Sequence, residues 1–297
     1  MANNKIAKSQ TNDNILSAIA NIISFGSFDI RNYAFTYLIR INAVGEQLEF
    51  YVKDAIADSL NLLQPQKESA YSRVFSYLGN QNNPPDMIIK NGDAFEVKKI
   101  ESPKSSLALN SSPPKDKLLS IDKRITTACR NCEANNWQEK DLFYVIGHVK
   151  GGRIKYLFFI EGTCYAADHS VYDKIHEPIK REVDSVIDSL GLERGKTVEI
   201  GKVKRADPLG ITELRIRGMW QILNPITVYK DFCSIKNRGK FHLFALMQKD
   251  KYNSYPEQDR RKFESISNSN FDISDIKIKS PNNPAKLLEA KLIKFTK

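Results

Sequence analysis

Long apolar runs are missing from these 297 residues. No stretch approaches the roughly 18 consecutive apolar residues that a membrane-spanning helix requires, so such a helix is excluded and no membrane partner is expected. The first fifteen residues are polar, and the apolar stretch behind them, Ile15 to Phe28, is broken by Asn21, Ser24 and Gly26. A secretory leader needs a longer apolar region and a small-residue cleavage site, so the expected location is the cytoplasm. Cysteine is scarce, with only Cys129, Cys132, Cys164 and Cys233. The Cys129–Cys132 pair alone has ligand-like spacing, and neither a second CxxC nor an HxxxH completes a zinc site. Reduced thiols outside any disulfide framework are the expectation. Histidine is equally sparse: His148, His169, His176 and His242 form no cluster, which leaves a His-metal nuclease unsupported. Internal repeats and an interdomain linker are also absent.

What is present in excess is positive charge: 45 Lys and Arg against 35 Asp and Glu, a net +10. Such a surplus suits a polyanionic partner, because phosphate contacts and counterion release supply the generic part of nucleic-acid affinity. Charge alone does not distinguish this from an ordinary basic protein.

The hydrophobic pattern predicts helices over 15–30, 44–63, 66–82, 121–134 and 173–190. In the second, Val44, Leu48, Tyr51, Val52, Ala55, Ile56, Leu60 and Leu63 follow a 3/4 spacing, with Pro65 closing it. In the last, Ile175, Ile179, Val183, Val186, Ile187 and Leu190 share a side and Gly191 is the stop. From Pro84 the texture turns to strand. Met87–Ile89 and Ala94–Ile100 flank Asn91-Gly92, a hairpin signal, and Leu142–Val149 and Ile154–Glu161 flank Gly151-Gly152, a second one. Residues 196–232 read as strand and turn. The expected organisation is one α/β domain over 1–250 and a peripheral or partly disordered C-terminal arm over 251–297.

Chemistry concentrates in the first hairpin. Glu96 and Lys98 are two apart on a strand and leave the same face, while Phe95 and Val97 leave the other. A two-residue turn at Asn91-Gly92 would put Asp86 opposite Val97, on the wrong face. A three-residue turn, Lys90-Asn91-Gly92 with Gly92 left-handed, sets Ile89 against Asp93 and Asp86 against Glu96, about 5 Å apart at the Cα atoms. The three-residue form is predicted. Two carboxylates and an ammonium converging on one point suit phosphodiester hydrolysis. Asp86, Glu96 and the Val97 carbonyl are hard oxygen ligands for Mg2+, and Lys98 is placed to orient water or offset phosphate charge.

Pro85-Asp86, nine residues, then Glu96-Val97-Lys98 resembles the PD-(D/E)xK nuclease signature without departure. Further stretches resemble the NgoPII-type restriction endonucleases: Glu96-Val97-Lys98-Lys99-Ile100-Glu101-Ser102, Leu109-Asn110-Ser111-Ser112-Pro113-Pro114-Lys115, and Asp207-Pro208-Leu209-Gly210-Ile211-Thr212 continuing through Leu214 to Trp220. The resemblance spans roughly 44 to 232. It implies a restriction-endonuclease-like mixed β-sheet flanked by helices, and a Mg2+-dependent homodimer cutting double-stranded DNA at a short palindrome, GGCC in that family, to leave 5′-phosphates. A cognate methyltransferase would protect the host DNA. Glu49, on the helix over 44–63, reads either as an accessory acid beside the metal or as a solvated partner of Lys53 at i,i+4.

Two segments are candidates for DNA contact. The loop after the catalytic strand carries Asn110, Ser111, Ser112, Lys115 and Lys117. In the stretch 202–220, Arg205, Arg215 and Arg217 offer the bidentate fork that guanine O6 and N7 accept. Arg215 and Arg217 share a strand face, although surface salt bridging, for instance with Glu213, explains them equally simply. Trp220 reads as core. The rival functions are a structure-specific repair or recombination nuclease of the same fold, a ribonuclease, and a DNA-binding protein without catalysis.

Overall fold

In the computed structural model, residues 13–31, 44–80, 83–235 and 240–297 are described. The chain opens with α1 (Ile15–Phe25), whose Asn14 carboxamide accepts from the Leu16 N–H at 2.9 Å and the Ser17 N–H at 3.2 Å, and whose end is marked by Gly26 at φ 63°. Helix α2 (Val44–Ile56) follows the predicted apolar spacing, burying Leu48, Tyr51, Val52, Ala55 and Ile56. It ends at Ile56, short of the predicted 63. Pro65 does not close it but sits in the first turn of α3 (Gln64–Val74), where a missing N–H costs nothing.

The helix predicted over 66–82 stops at Val74 and becomes a strand, β1 (Phe75–Asn80). Its residues pair antiparallel with β2 (Asn83–Ile89), an override of local periodicity by sheet pairing. The chain then forms β3 (Ala94–Ile100), β4 (Leu107–Asn110), β5 (Lys117–Leu119) and the single turn α4 (Thr127–Arg130). That turn is all that remains of the helix predicted over 121–134; its flanks are fixed as loop by Asp122 and Arg130, which bond the local backbone. Next come β6 (Glu139–Lys150) and β7 (Arg153–Glu161), the predicted second hairpin. Gly151 and Gly152, at φ 60° and 71°, form its two-residue turn. Helix α5 (His169–Ser189) ends at Gly191, φ 67°. After it lie β8 (Glu193–Arg194), β9 (Gly201–Lys204), β10 (Leu214–Ile216), β11 (Trp220–Ile222), α6 (Pro225–Val228), β12 (His242–Gln248), α7 (Lys249–Ser254), α8 (Glu257–Glu264), β13 (Phe271–Lys279) and β14 (Leu287–Thr296).

The main sheet runs β1-β2-β3-β6-β7-β12-β14-β13, with β5 alongside β6. It is mixed: β3–β6 and β7–β12 are parallel, the other pairs antiparallel. Residues 251–297 are therefore not a peripheral arm. Strand β14 lies between β12 and β13, and its Ala290, Leu292, Ile293 and Phe295 are buried.

Alternating side chains build two cores, one per sheet face. Along β6, Phe143 and Val145 join Phe95, Val97 and the helices α1, α2, α3, α7 and α8. Leu142, Tyr144 and Ile146 join the opposite cluster, with Leu107, Leu109, Cys129 and Ile226. The expected mixed sheet flanked by helices is what forms. Phe95 is fully buried with its ring 5.7 Å from that of Phe143. Phe95→Ala should destabilise the fold by about 3–5 kcal/mol, read from the denaturant midpoint. A midpoint unchanged from the parent would show that this core is not the support of β3.

Candidate active site

The predicted three-residue turn forms. The Ile89 N–H donates to the Asp93 carbonyl at 3.0 Å and the Gly92 N–H to the Ile89 carbonyl at 2.9 Å. The register Met87–Phe95 and Ile88–Ala94, taken one step further, sets Asp86 against Glu96. One detail differs. The left-handed residue is Asn91, at φ 53°, rather than Gly92. Asparagine tolerates that region, and its N–H is held by Glu133 at 3.0 Å. Glycine at 92 serves close approach instead, since a Cβ there would lie 3.1 Å from Ile89 Cγ2. Gly79 of β1 does the same behind the site: a Cβ would fall 2.3 Å from the Pro85 carbonyl and 3.1 Å from the Asp86 Cα.

On this hairpin Asp86, Glu96 and Lys98 come together. The Lys98 ammonium is 2.6 Å from Glu96 Oε1, and the Val97 N–H donates to Asp86 Oδ2 at 2.6 Å. Burial, then the neighbouring Glu96 and Glu49 carboxylates, push the Asp86 carboxyl well above the usual range; Lys98 and the Val97 N–H offset this only in part. For Lys98 burial opposes the charge, but Glu96 and Asp86 outweigh it and its pKa is raised. Glu49, on α2, makes the i,i+4 ion pair with Lys53 at 2.6 Å, and its charge nevertheless bears on Asp86.

This is an arrangement short of positive charge. Glu96 Oε2 is buried without a hydrogen-bond partner, which a native fold rarely tolerates, and it lies beside a carboxylate whose pKa burial, and then repulsion from neighbouring carboxylates, have driven up. Both features suit a hard divalent cation held by oxygen. Among the described residues no three His, Cys, Asp or Glu side chains gather into a complete metal cage. Two carboxylates and a carbonyl would have to be completed by water and substrate phosphate, as Mg2+ prefers.

The trio opens into a cleft of about 840 Å³ that also receives Asn110, Ser111, Ser112, Lys115, Arg215 and Arg217. Asn110 is exposed at φ 53°, and the Ser112 hydroxyl is buried without a partner. Lys115 lines the wall, but its ammonium is buried in an ion pair with Asp122 and its N–H donates to the Tyr144 hydroxyl at 2.8 Å. Lys117, paired with Glu139, and Arg205, paired with Glu193 at 3.4 Å, lie outside the cleft. Trp220 is only partly buried, edge-on to Tyr172 at 5.5 Å.

Sequence reasoning missed Glu199. It is buried, with 7% of its surface exposed, and collects both cleft arginines. Arg215 donates through Nε at 3.0 Å and Nη2 at 2.7 Å, and Arg217 Nε lies 2.6 Å away. Glu213, the partner expected from sequence, pairs with Lys202 instead. Residues 198–200 form a bend rather than a strand, so no periodicity could have marked Glu199. Lys123 and Arg124 also line the cleft.

Against known proteins, residues 13–279 match the family model described as NgoPII restriction endonuclease. The chain is 44% identical over 283 residues to the type II restriction enzyme NgoPII of Neisseria gonorrhoeae, an alignment covering 95% of this chain and 99% of that protein. No solved structure matches it.

Proposed function

The chain belongs to the NgoPII restriction endonuclease family, and from that premise we propose that Asp86, Glu96 and Lys98 are the catalytic group of a Mg2+-dependent homodimer cutting both strands at GGCC. It is a type II site-specific deoxyribonuclease; its substrate is double-stranded DNA and its chemistry calls for a divalent metal. The observation that carries the assignment of residues is the pair of facing carboxylates, one with an orphaned buried oxygen, with Lys98 beside them in the cleft.

Asp86, Glu96 and the Val97 carbonyl would hold the Mg2+. When bound, the ion supplies polarisation of a phosphoryl oxygen and a more acidic water. The Val97 N–H fixes the orientation of Asp86, and Lys98, which keeps its proton, positions the attacking water and offsets charge on the phosphate. Glu49 adds an accessory carboxylate. Asn110, Ser111 and Ser112 are assigned to DNA contact at the cleft mouth. Lys115 acts there through the loop it anchors, and Lys117 and Arg205 are assigned to the flanking backbone outside the cleft. Arg215 and Arg217 are assigned to base reading. Two guanidinium forks per subunit match the two guanines that each GGCC strand presents. A palindrome offers the same groups twice, which is the reason for a two-fold dimer. Among the described residues no helix is long and apolar enough to cross a membrane. A cytoplasmic location and a protecting methyltransferase complete the proposal.

Digestion of long duplex DNA tests it. With Mg2+, discrete fragments should form whose ends map to GGCC and carry 5′-phosphates. EDTA should abolish cutting, and GGCC-methylated DNA should resist. Fragments ending at another sequence would discard GGCC and keep the type II assignment, whereas an unspecific smear would discard sequence recognition itself.

A further inference from the structure

Between β5 and α4 the chain runs through residues 120–126 as a loop, and that loop is fastened from several sides. The Asp122 carboxylate takes the Lys115 ammonium as an ion pair and accepts from the Arg124 N–H at 2.8 Å. Arg130 donates to the Ser120 carbonyl at 2.7 Å and to the Asp122 carbonyl at 3.1 Å, while Ile125 is buried in the core that holds Tyr144. A further bond ties the loop to the catalytic hairpin. Asn83, at the start of β2, donates to the Arg124 carbonyl at 3.0 Å. It stands three residues before Asp86, so the two Cα atoms lie within about 11 Å of each other.

The loop brings Lys123 and Arg124 to the wall of the cleft, where they also border a smaller hollow of about 280 Å³ towards α5. Charge pairing separates these two from the other cations of the cleft. Lys98 is engaged by Glu96 at 2.6 Å, Arg215 and Arg217 by Glu199 at 2.7 and 2.6 Å, and Lys115 by Asp122. Lys123 is exposed and forms no ion pair among the described residues. Arg124 meets only Asp122, at 3.7 Å, and that carboxylate is already taken by Lys115.

Resting on duplex DNA as the substrate, we propose that Lys123 and Arg124 anchor the phosphate backbone beside the bond that is cut, and do not read bases. The contrast with the arginine pair argues for phosphate. Glu199 aims Arg215 and Arg217, as a fork on a base edge requires. Nothing aims Lys123, a point charge on a flexible stem, and Arg124 is held mainly through its backbone. Such cations follow a phosphate, whose contacts fix the register of a duplex without reading its sequence. Because the loop is bonded to β2, that register is set relative to Asp86. Lys115 and Asp122 then act as the internal cross-link that holds the anchor in shape.

The test is duplex binding over a salt series, with EDTA present to prevent cutting. For the parent, the logarithm of affinity should fall steeply with the logarithm of salt concentration. Lys123→Ala and Arg124→Ala should each flatten that slope by about one, and the double variant by about two. Each single change should weaken cognate and one-base-altered duplexes by the same factor, about 3- to 10-fold at physiological salt. Arg124→Lys keeps the charge and should keep the slope. Lys123→Ala trims an exposed side chain, so its melting temperature should match the parent's and its slope reads the anchor free of any folding defect in Arg124→Ala protein. Slopes equal to the parent's in both alanine variants would overturn the anchor and leave the deoxyribonuclease assignment standing. A loss confined to the cognate duplex would make these residues base readers and overturn it as well. Parent protein that leaves duplex DNA uncut with Mg2+ would count instead against the reading on which the anchor rests.

Discussion

Asp86→Asn protein should bind duplex DNA as the parent does and leave it uncut, with single-turnover cleavage slower by at least about 10³-fold, roughly 4 kcal/mol of barrier. The change removes one ionised oxygen ligand and little volume. It should not weaken the fold. Burial and two neighbouring carboxylates raise the Asp86 pKa, so the ionised form is the disfavoured one in the folded chain. Above the unfolded pKa that raised value is a penalty on folding, and a neutral amide escapes it. The melting temperature at neutral pH should therefore hold or rise while activity disappears, a stability–activity trade at one residue. Lys98→Met should also abolish cutting but move stability the other way, because it removes the cation that partly neutralises Glu96 and Asp86. Cleavage by Asp86→Asn protein within tenfold of the parent would take Asp86 out of the catalytic group. A melting temperature several degrees lower would contradict the electrostatic picture.

The candidate site was legible because its determinants are local. Glu96 and Lys98 share a face by the two-residue period of a strand, and a turn of known length decides which residue faces Glu96. Sixteen consecutive residues, 83–98, contain that geometry, and the register came out as predicted, even though Asn91 and not Gly92 took the left-handed conformation. The C-terminal strands were illegible for the opposite reason. The stretch 250–297 is rich in Lys, Asn and Ser and carries scattered Asp and Glu with weak hydrophobic patterning, which reads as a peripheral or partly disordered arm. In the fold these charges form a ladder across β13 and β14: Lys277 with Glu289 at 3.0 Å, Lys291 with Asp275 at 2.8 Å, and Lys294 with Asp272 at 3.1 Å. Each partner lies far along the chain, and only the pairing makes a strand of it. Phe75–Asn80 shows the same effect on a smaller scale, continuing a helical pattern until β2 claims it.

Glu199→Ala should cost sequence discrimination more than chemistry. The carboxylate is buried, far in sequence from the hairpin, and each arginine spends only part of its guanidinium on it. Arg215 uses Nε and one Nη2 hydrogen, leaving Nη1 and the other Nη2 hydrogen for a second acceptor; Arg217 uses Nε. An arginine so held presents its fork to a base edge with little left to lose in rotamer entropy, the general advantage of preorganisation. Without Glu199 two like charges face one cleft wall and spread. Affinity for the cognate duplex should fall about 10- to 100-fold, and the ratio of cognate to single-mismatch cleavage should fall with it. Non-specific binding should hold or strengthen, because a negative charge has left a DNA-facing surface. Arg215→Ala and Arg217→Ala should each remove about 1–3 kcal/mol of discrimination at a guanine. Because Glu199 acts through them, Glu199→Ala combined with Arg215→Ala should cost less than the sum of the two single changes. Competition binding with cognate and one-base-altered duplexes measures all of these. Additive losses would separate Glu199 from Arg215, and an unchanged mismatch ratio in Glu199→Ala protein would move base reading to another part of the cleft, the loop at Asn110 and Ser112 first.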